Sequence, residues 1–158
     1  MPNESSQRAE ALPVSLEGLR EQRDDLWDAT VALEHALSAP VRDGIDDWIQ
    51  GVRHGLDSIR VAFDAHVRFT EGDGGVFDEI VAEEPALVVA CDRLRRDHTM
   101  LGALLSAVSD RLDGARDRVD AEEVRSELLD LIRRFSVHRQ RGADLLYEAF
   151  DYDVSGGD

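Results

Sequence analysis

Four long apolar stripes, each spaced like one face of an α-helix and the first three stopped by proline or glycine, constrain this chain most. A helical residue turns about 100° from its neighbour, so apolar side chains three and four apart line up on one side. The first stripe, within residues 13–39, runs Leu16, Leu19, Arg23, Leu26, Thr30, Leu33, Leu37, and Pro40 ends it. The second, within residues 41–71, runs Ile45, Ile49, Val52, Leu56, Ile59, Phe63, His66, Thr70. The run Gly72-Asp73-Gly74-Gly75 closes that helix, because glycine is favoured just past a helix end. In the connector, residues 76–84, the apolar set Val76, Phe77, Ile80 and Val81 predicts a short helix across the end of the assembly. Pro85 suits the first turn of the third long helix. Its stripe is Leu87, Cys91, Leu94, His98, Leu101, Leu105, Val108, Leu112, with an exit at Asp113-Gly114. The fourth, within residues 120–150, runs Val124, Leu128, Leu131, Phe135, His138, Gly142, Leu145, Ala149.

Short links between four such helices predict an all-α, antiparallel up-down-up-down four-helix bundle over residues 13–150. Residues 1–12 are expected to fray, and the acidic residues 151–158 to form a tail. A length of 158 residues predicts one domain, and a 42% hydrophobic content is enough to fill its core. No segment approaches the ~20 apolar residues of a membrane span. The polar, acidic start of the chain has no basic-then-apolar leader pattern, so a cytoplasmic location is expected. The formal net charge of -16 argues against nucleic acid or an anionic membrane as partner, since both repel an acidic surface. All 18 basic residues are arginine. The single cysteine, Cys91, allows no internal disulfide and lies on the third stripe, where it reads as packing. Trp27, Trp48, Tyr147 and Tyr152 read as core or core-edge aromatics, with Tyr147 also a candidate for the neighbourhood of a site.

Phase sorts the five histidines. His66, His98 and His138 sit on stripes of three different helices, with apolar residues three or four positions away, and should point into the core. His35 and His54 are each two positions from a stripe residue, about 200° around, and should face solvent. A buried imidazole without a partner costs ~1–3 kcal/mol. Three of them need either a layer of mutual hydrogen bonds or a shared metal ion, for which imidazole is a good ligand.

The arrangement resembles the hemerythrin-like (HHE) cation-binding family. The likeness lies in His66-Val67-Arg68-Phe69-Thr70-Glu71, in Leu94-Arg95-Arg96-Asp97-His98 and in His138, and extends over residues 15–150. The resemblance implies an up-down bundle that binds a pair of non-haem irons through histidines and bridging carboxylates. It also implies a small diatomic molecule or peroxide as the ligand bound or sensed. The chain departs from the pattern where the family carries glutamate one turn after a histidine: Thr70 follows His66 and Gly142 follows His138. The first helix, which in the family supplies a histidine, has His35 out of phase and Glu34 nearer the stripe. Glu71 is the remaining candidate carboxylate, about 140° from His66 on an ideal helix, so it should need a loosened helix end to turn inward. Asp97 should face sideways, and Asp144 and Glu148 away from His138. The expected metal set is therefore His66, His98, His138 and Glu71, holding iron as a pair or a single ion, or zinc. A metal-free interaction or scaffold module that has lost the carboxylates is the competing expectation. One geometric condition stands over the metal set. His66 is near the end of its helix and His98 is far into its own, so they meet only if the third helix starts below the second or the connector folds back over the bundle's end.

Overall fold

The computed structural model describes residues 13–41 and 44–150, with side chains from residue 16 onward. All regular structure among the described residues is helical: α1 (Pro13–Ser38), α2 (Ile45–Glu71), α3 (Val76–Glu83), a 3-10 turn (Pro85–Leu87), α4 (Val88–Gly114) and α5 (Arg118–Phe150). The expectations for residues 1–12 and 151–158, including Tyr152, lie outside the described residues. No helix among those residues is long and apolar enough to cross a membrane.

Helix ends follow local chemistry. α2 opens at Ile45 after Gly44, whose φ of 154° is a conformation other residues rarely adopt. Pro85 opens the 3-10 turn rather than the long helix itself: Glu84 before it is extended (φ -134°, ψ 84°), as a residue preceding proline prefers to be. α5 begins at Arg118, two residues earlier than the stripe suggests. The Asp117 carboxylate accepts the Asp120 N–H at 2.9 Å, and the Asp120 carboxylate accepts the Arg116 N–H at 2.7 Å. Such reciprocal bonds satisfy donors that a helix start leaves open.

The stripes supply the core. Leu33, Val52, Ile59, Leu101 and Leu128 are fully buried, each contributing ~1.5–3 kcal/mol of hydrophobic stabilisation. Contacts between helices come in ordered pairs. Leu33 meets Gly55, and Gly18 meets Phe69, between α1 and α2. Arg53 bonds Asp113 and Arg60 bonds Ser109 between α2 and α4. Arg111 pairs with Glu127 and Arg141 with Asp97 between α4 and α5. At Gly55 a Cβ would stand 3.2 Å from the Leu33 Cα, so the missing side chain lets α1 and α2 approach closely.

Two apolar clusters result. The larger one includes Phe63, Leu101 and Phe135; the smaller one, at the other end, includes Leu19, Phe77, Leu94 and Leu145. Val76, Phe77 and Ile80 bury the inner face of α3 in the smaller cluster, as their spacing predicts. Between the clusters lies a polar layer. Tyr147 departs from expectation: it is 57% exposed, because it stands two positions from Leu145 and so on the far side of α5. Trp48 is buried, whereas Trp27 lies at the core edge under the Arg139 guanidinium, 4.3 Å from its ring centre.

Candidate metal centre

His66, His98 and His138 form the polar layer, each buried, each on a different helix. α4 makes their convergence possible by starting well beyond the end of α2. His98 lies ten residues, about 15 Å, into α4, and His66 five residues, about 7.5 Å, from the end of α2. α3 fills the step between those ends, and Phe77 stacks on the His98 ring with centroids 6.0 Å apart. The third long helix thus starts beyond the end of the second, one of the two arrangements the sequence allowed, and the connector helix packs on His98.

The Nε2 atoms of His98 and His138 are 3.1 Å apart, and those of His138 and His66 are 3.4 Å apart. One donor nitrogen from each ring lies within 4.8 Å of the others, so the three can hold a metal ion. With metal–nitrogen bonds of ~2.0–2.1 Å, separations of 3.1 and 3.4 Å correspond to angles of roughly 95–116° at the ion, a range that includes the tetrahedral value.

The outer nitrogens of His98 and His138 face carboxylates. His98 Nδ1 meets Glu71 Oε1 in a short contact. His138 Nδ1 faces Asp97 Oδ2 at 3.5 Å, and Asp97 is held by Arg141, whose Nη1 donates to both carboxylate oxygens at 2.7 and 2.8 Å. When ionised, both carboxylates act only as acceptors, so they favour the Nδ1–H form of each ring. Both Nε2 atoms then present lone pairs to each other at 3.1 Å, an arrangement that calls for a cation between them. A proton is disfavoured there. Burial, with smaller contributions from His138 and Arg95, lowers the His98 pKa to about 3. Burial also lowers His66 well below its usual value, helped by the other two rings and Arg23, and lowers His138 against the opposing pull of Asp97. Burial raises the Glu71 pKa, partly offset by Arg95.

Each sequence candidate has a definite place. Glu71 reaches the site without any loosening of α2, which stays helical through Glu71 and ends with the Gly72 N–H on Arg68 O at 2.9 Å. Its sideways direction, about 140° from His66, is the direction of α4, and there it contacts the outer nitrogen of His98. Thr70 is buried and donates its hydroxyl to His66 O at 2.9 Å. Glu34, Asp144, Tyr147 and Glu148 are exposed, as are His35 and His54. Sequence reasoning missed Asp97 and Arg141. Asp97 does point sideways, but into the α4–α5 seam, where it is only 8% exposed. The available signal was the combination of Asp97 beside His98 with Arg141 three positions, about one turn, after His138.

A cavity adjoins the layer between α1 and α5, open to the centres of water-sized molecules over about 50 Å³. His66 and His138 line it, together with Arg23, Arg139, Gly142 and a set of leucine, phenylalanine and tryptophan side chains. Comparison of the chain with protein-family models, with curated proteins and with solved structures gives no match.

Proposed function

We propose that this protein is a hemerythrin-like metal-binding protein that holds one divalent transition-metal ion, iron by preference and zinc as the alternative, on Nε2 of His66, His98 and His138. The carrying observation is the 3.1 Å approach of two Nε2 atoms whose rings are both turned by carboxylates on Nδ1. In this reading Glu71 and Asp97 orient the ligands and make them more basic, as outer partners of metal-bound histidine commonly do. A single ion fits better than a pair, because Thr70 and Gly142 offer no bridging carboxylate. The ion would supply a Lewis acid with open positions, and the cavity lined by His66 and His138 would admit a small diatomic molecule or peroxide. The order of the helix contacts, Arg53 with Asp113, Arg60 with Ser109 and Phe63 with His98, supports α2 and α4 running antiparallel within an up-down-up-down bundle.

Metal analysis of protein purified without chelator is the test. About one ion per chain, or one gained on anaerobic iron loading and lost in His98→Ala, is expected. Less than about 0.1 ion per chain after both treatments would overturn the reading, and two irons per chain would overturn its single-ion form.

A metal-free module is the second reading, and Glu71 is the observation that favours it. Its pKa is raised by burial, and a protonated Glu71 donates to His98 Nδ1, which lets His98 Nε2–H donate to His138 Nε2. That chain of donors closes without a cation. It predicts that His98→Ala changes stability by a packing-sized ~2–4 kcal/mol whether or not metal is present.

A further inference from the structure

The cavity beside the histidine layer lies where the two apolar clusters meet. Leu26 and Phe135 of one and Leu19, Leu94 and Leu145 of the other form its walls. Its surface is almost wholly apolar, because the polar side chains that line it are turned to other partners or enclosed. Thr30 gives its hydroxyl hydrogen to Leu26 O at 2.8 Å, and Thr70 gives its own to His66 O at 2.9 Å. Arg23 donates to Arg139 O at 3.3 Å, and the Arg139 guanidinium lies over the Trp27 ring, 4.3 Å from its centre. The Nε2 atoms of His66 and His138 face each other at 3.4 Å, and the outer nitrogen of His138 faces Asp97. Nδ1 of His66 is buried, with no surface open to it.

A water molecule held inside a protein needs ~2–4 polar partners, and these walls offer almost none. An uncharged apolar molecule needs no such partner and is favoured by leaving water. Size narrows the class. An apolar cavity of ~150 Å³ takes benzene, with its six carbons, so about 50 Å³ has room for about two heavy atoms. We propose that this cavity binds one uncharged apolar molecule the size of ethane or xenon, held by the leucine and phenylalanine walls alone and without any metal. Methanol and hydrogen peroxide match ethane in heavy atoms but carry hydroxyls that would go unpaired there, so they are turned away. Of the two guests proposed for the ion, the diatomic molecule therefore fits these walls and peroxide does not. That choice rests on the metal reading, whereas the binding itself does not.

Methyl-resolved NMR of the full chain, in chelator and again after zinc loading, tests this with ethane and xenon against methanol. Ethane and xenon should each shift the methyls of Leu19, Leu26, Leu94 and Leu145, with similar affinity in both metal states. The methyls of Leu105 and Leu112, which belong to the larger cluster but do not line the cavity, should stay in place. Methanol should bind at least about tenfold more weakly than ethane. Gly142 also lines the cavity, and a Cβ there meets nothing within 4 Å, so Gly142→Leu should fill the space and lower ethane affinity about tenfold or more while helix content persists. Methanol binding as tight as ethane binding would overturn the proposal, as would shifts spread evenly over the core methyls or unchanged ethane affinity in Gly142→Leu. Ethane binding that appears only after zinc loading would overturn it too. Protein that takes up zinc but shows no shift at the cavity methyls would sink this inference alone, and protein that binds ethane but takes up no metal would support it and sink the metal reading alone.

Discussion

Acidification should destabilise the metal-free protein in part through His98. Burial holds the folded pKa of this residue at about 3, whereas an unfolded histidine titrates near ~6.5. Between those values the unfolded chain takes up a proton that the folded chain refuses. The stabilising contribution is therefore intact above pH ~6.5 and drains away as pH falls toward 3, at up to ~1.4 kcal/mol per pH unit. From pH 7 to pH 5, His98 alone should cost about 2 kcal/mol. His66 and His138 shift in the same direction and add to it, while Glu71, whose folded pKa is raised, works with the opposite sign. Reduced self-repulsion of an acidic protein also opposes the loss, but equally in a variant. The measurement is urea unfolding in chelator at pH 7 and pH 5, for wild type and His98→Asn, whose amide N–H can still reach Glu71. The variant should lose about 2 kcal/mol less than wild type over this interval. Equal losses, within about 0.5 kcal/mol, would refute a buried neutral imidazole at this position.

Arg141→Met removes both bonds to the buried Asp97 carboxylate. Isothermal titration should show metal affinity falling ~10–100-fold, and thermal melts should show a loss of ~1.5–3 kcal/mol without metal. Gly142→Ala, in a helix interior with nothing near its Cβ position, should raise stability by ~0.4–1 kcal/mol in denaturant titrations. Gly55→Ala is the contrasting case. Its Cβ would meet Leu33 at 3.0–3.2 Å, and chemical denaturation should register a loss of ~1–3 kcal/mol as α1 and α2 separate.

Much of this molecule was legible from periodicity. Which face of each helix is buried is a local property, repeated every turn, so Leu33, Ile59, Leu101 and Leu128 could be assigned to the core from spacing alone. The same phase put His66, His98 and His138 inside and left His35 and His54 outside. Turn chemistry placed the break after Glu71 and the short helix that follows. The capping pair Asp117 and Asp120 moved one boundary, because a cap acts through side-chain bonds that a hydrophobic stripe does not register.

Tertiary structure decided everything that depends on the level of one helix against another. Phase gives an angle around an axis but no height along a neighbouring one, so convergence of His66 with His98 required the overhang of α4 and the filling of that step by α3. It also decided what lies sideways. Glu71 and Asp97 point away from the stripes of their own helices, and only the adjoining helices, bringing His98 to one and His138 with Arg141 to the other, turn them from edge residues into partners of the buried rings.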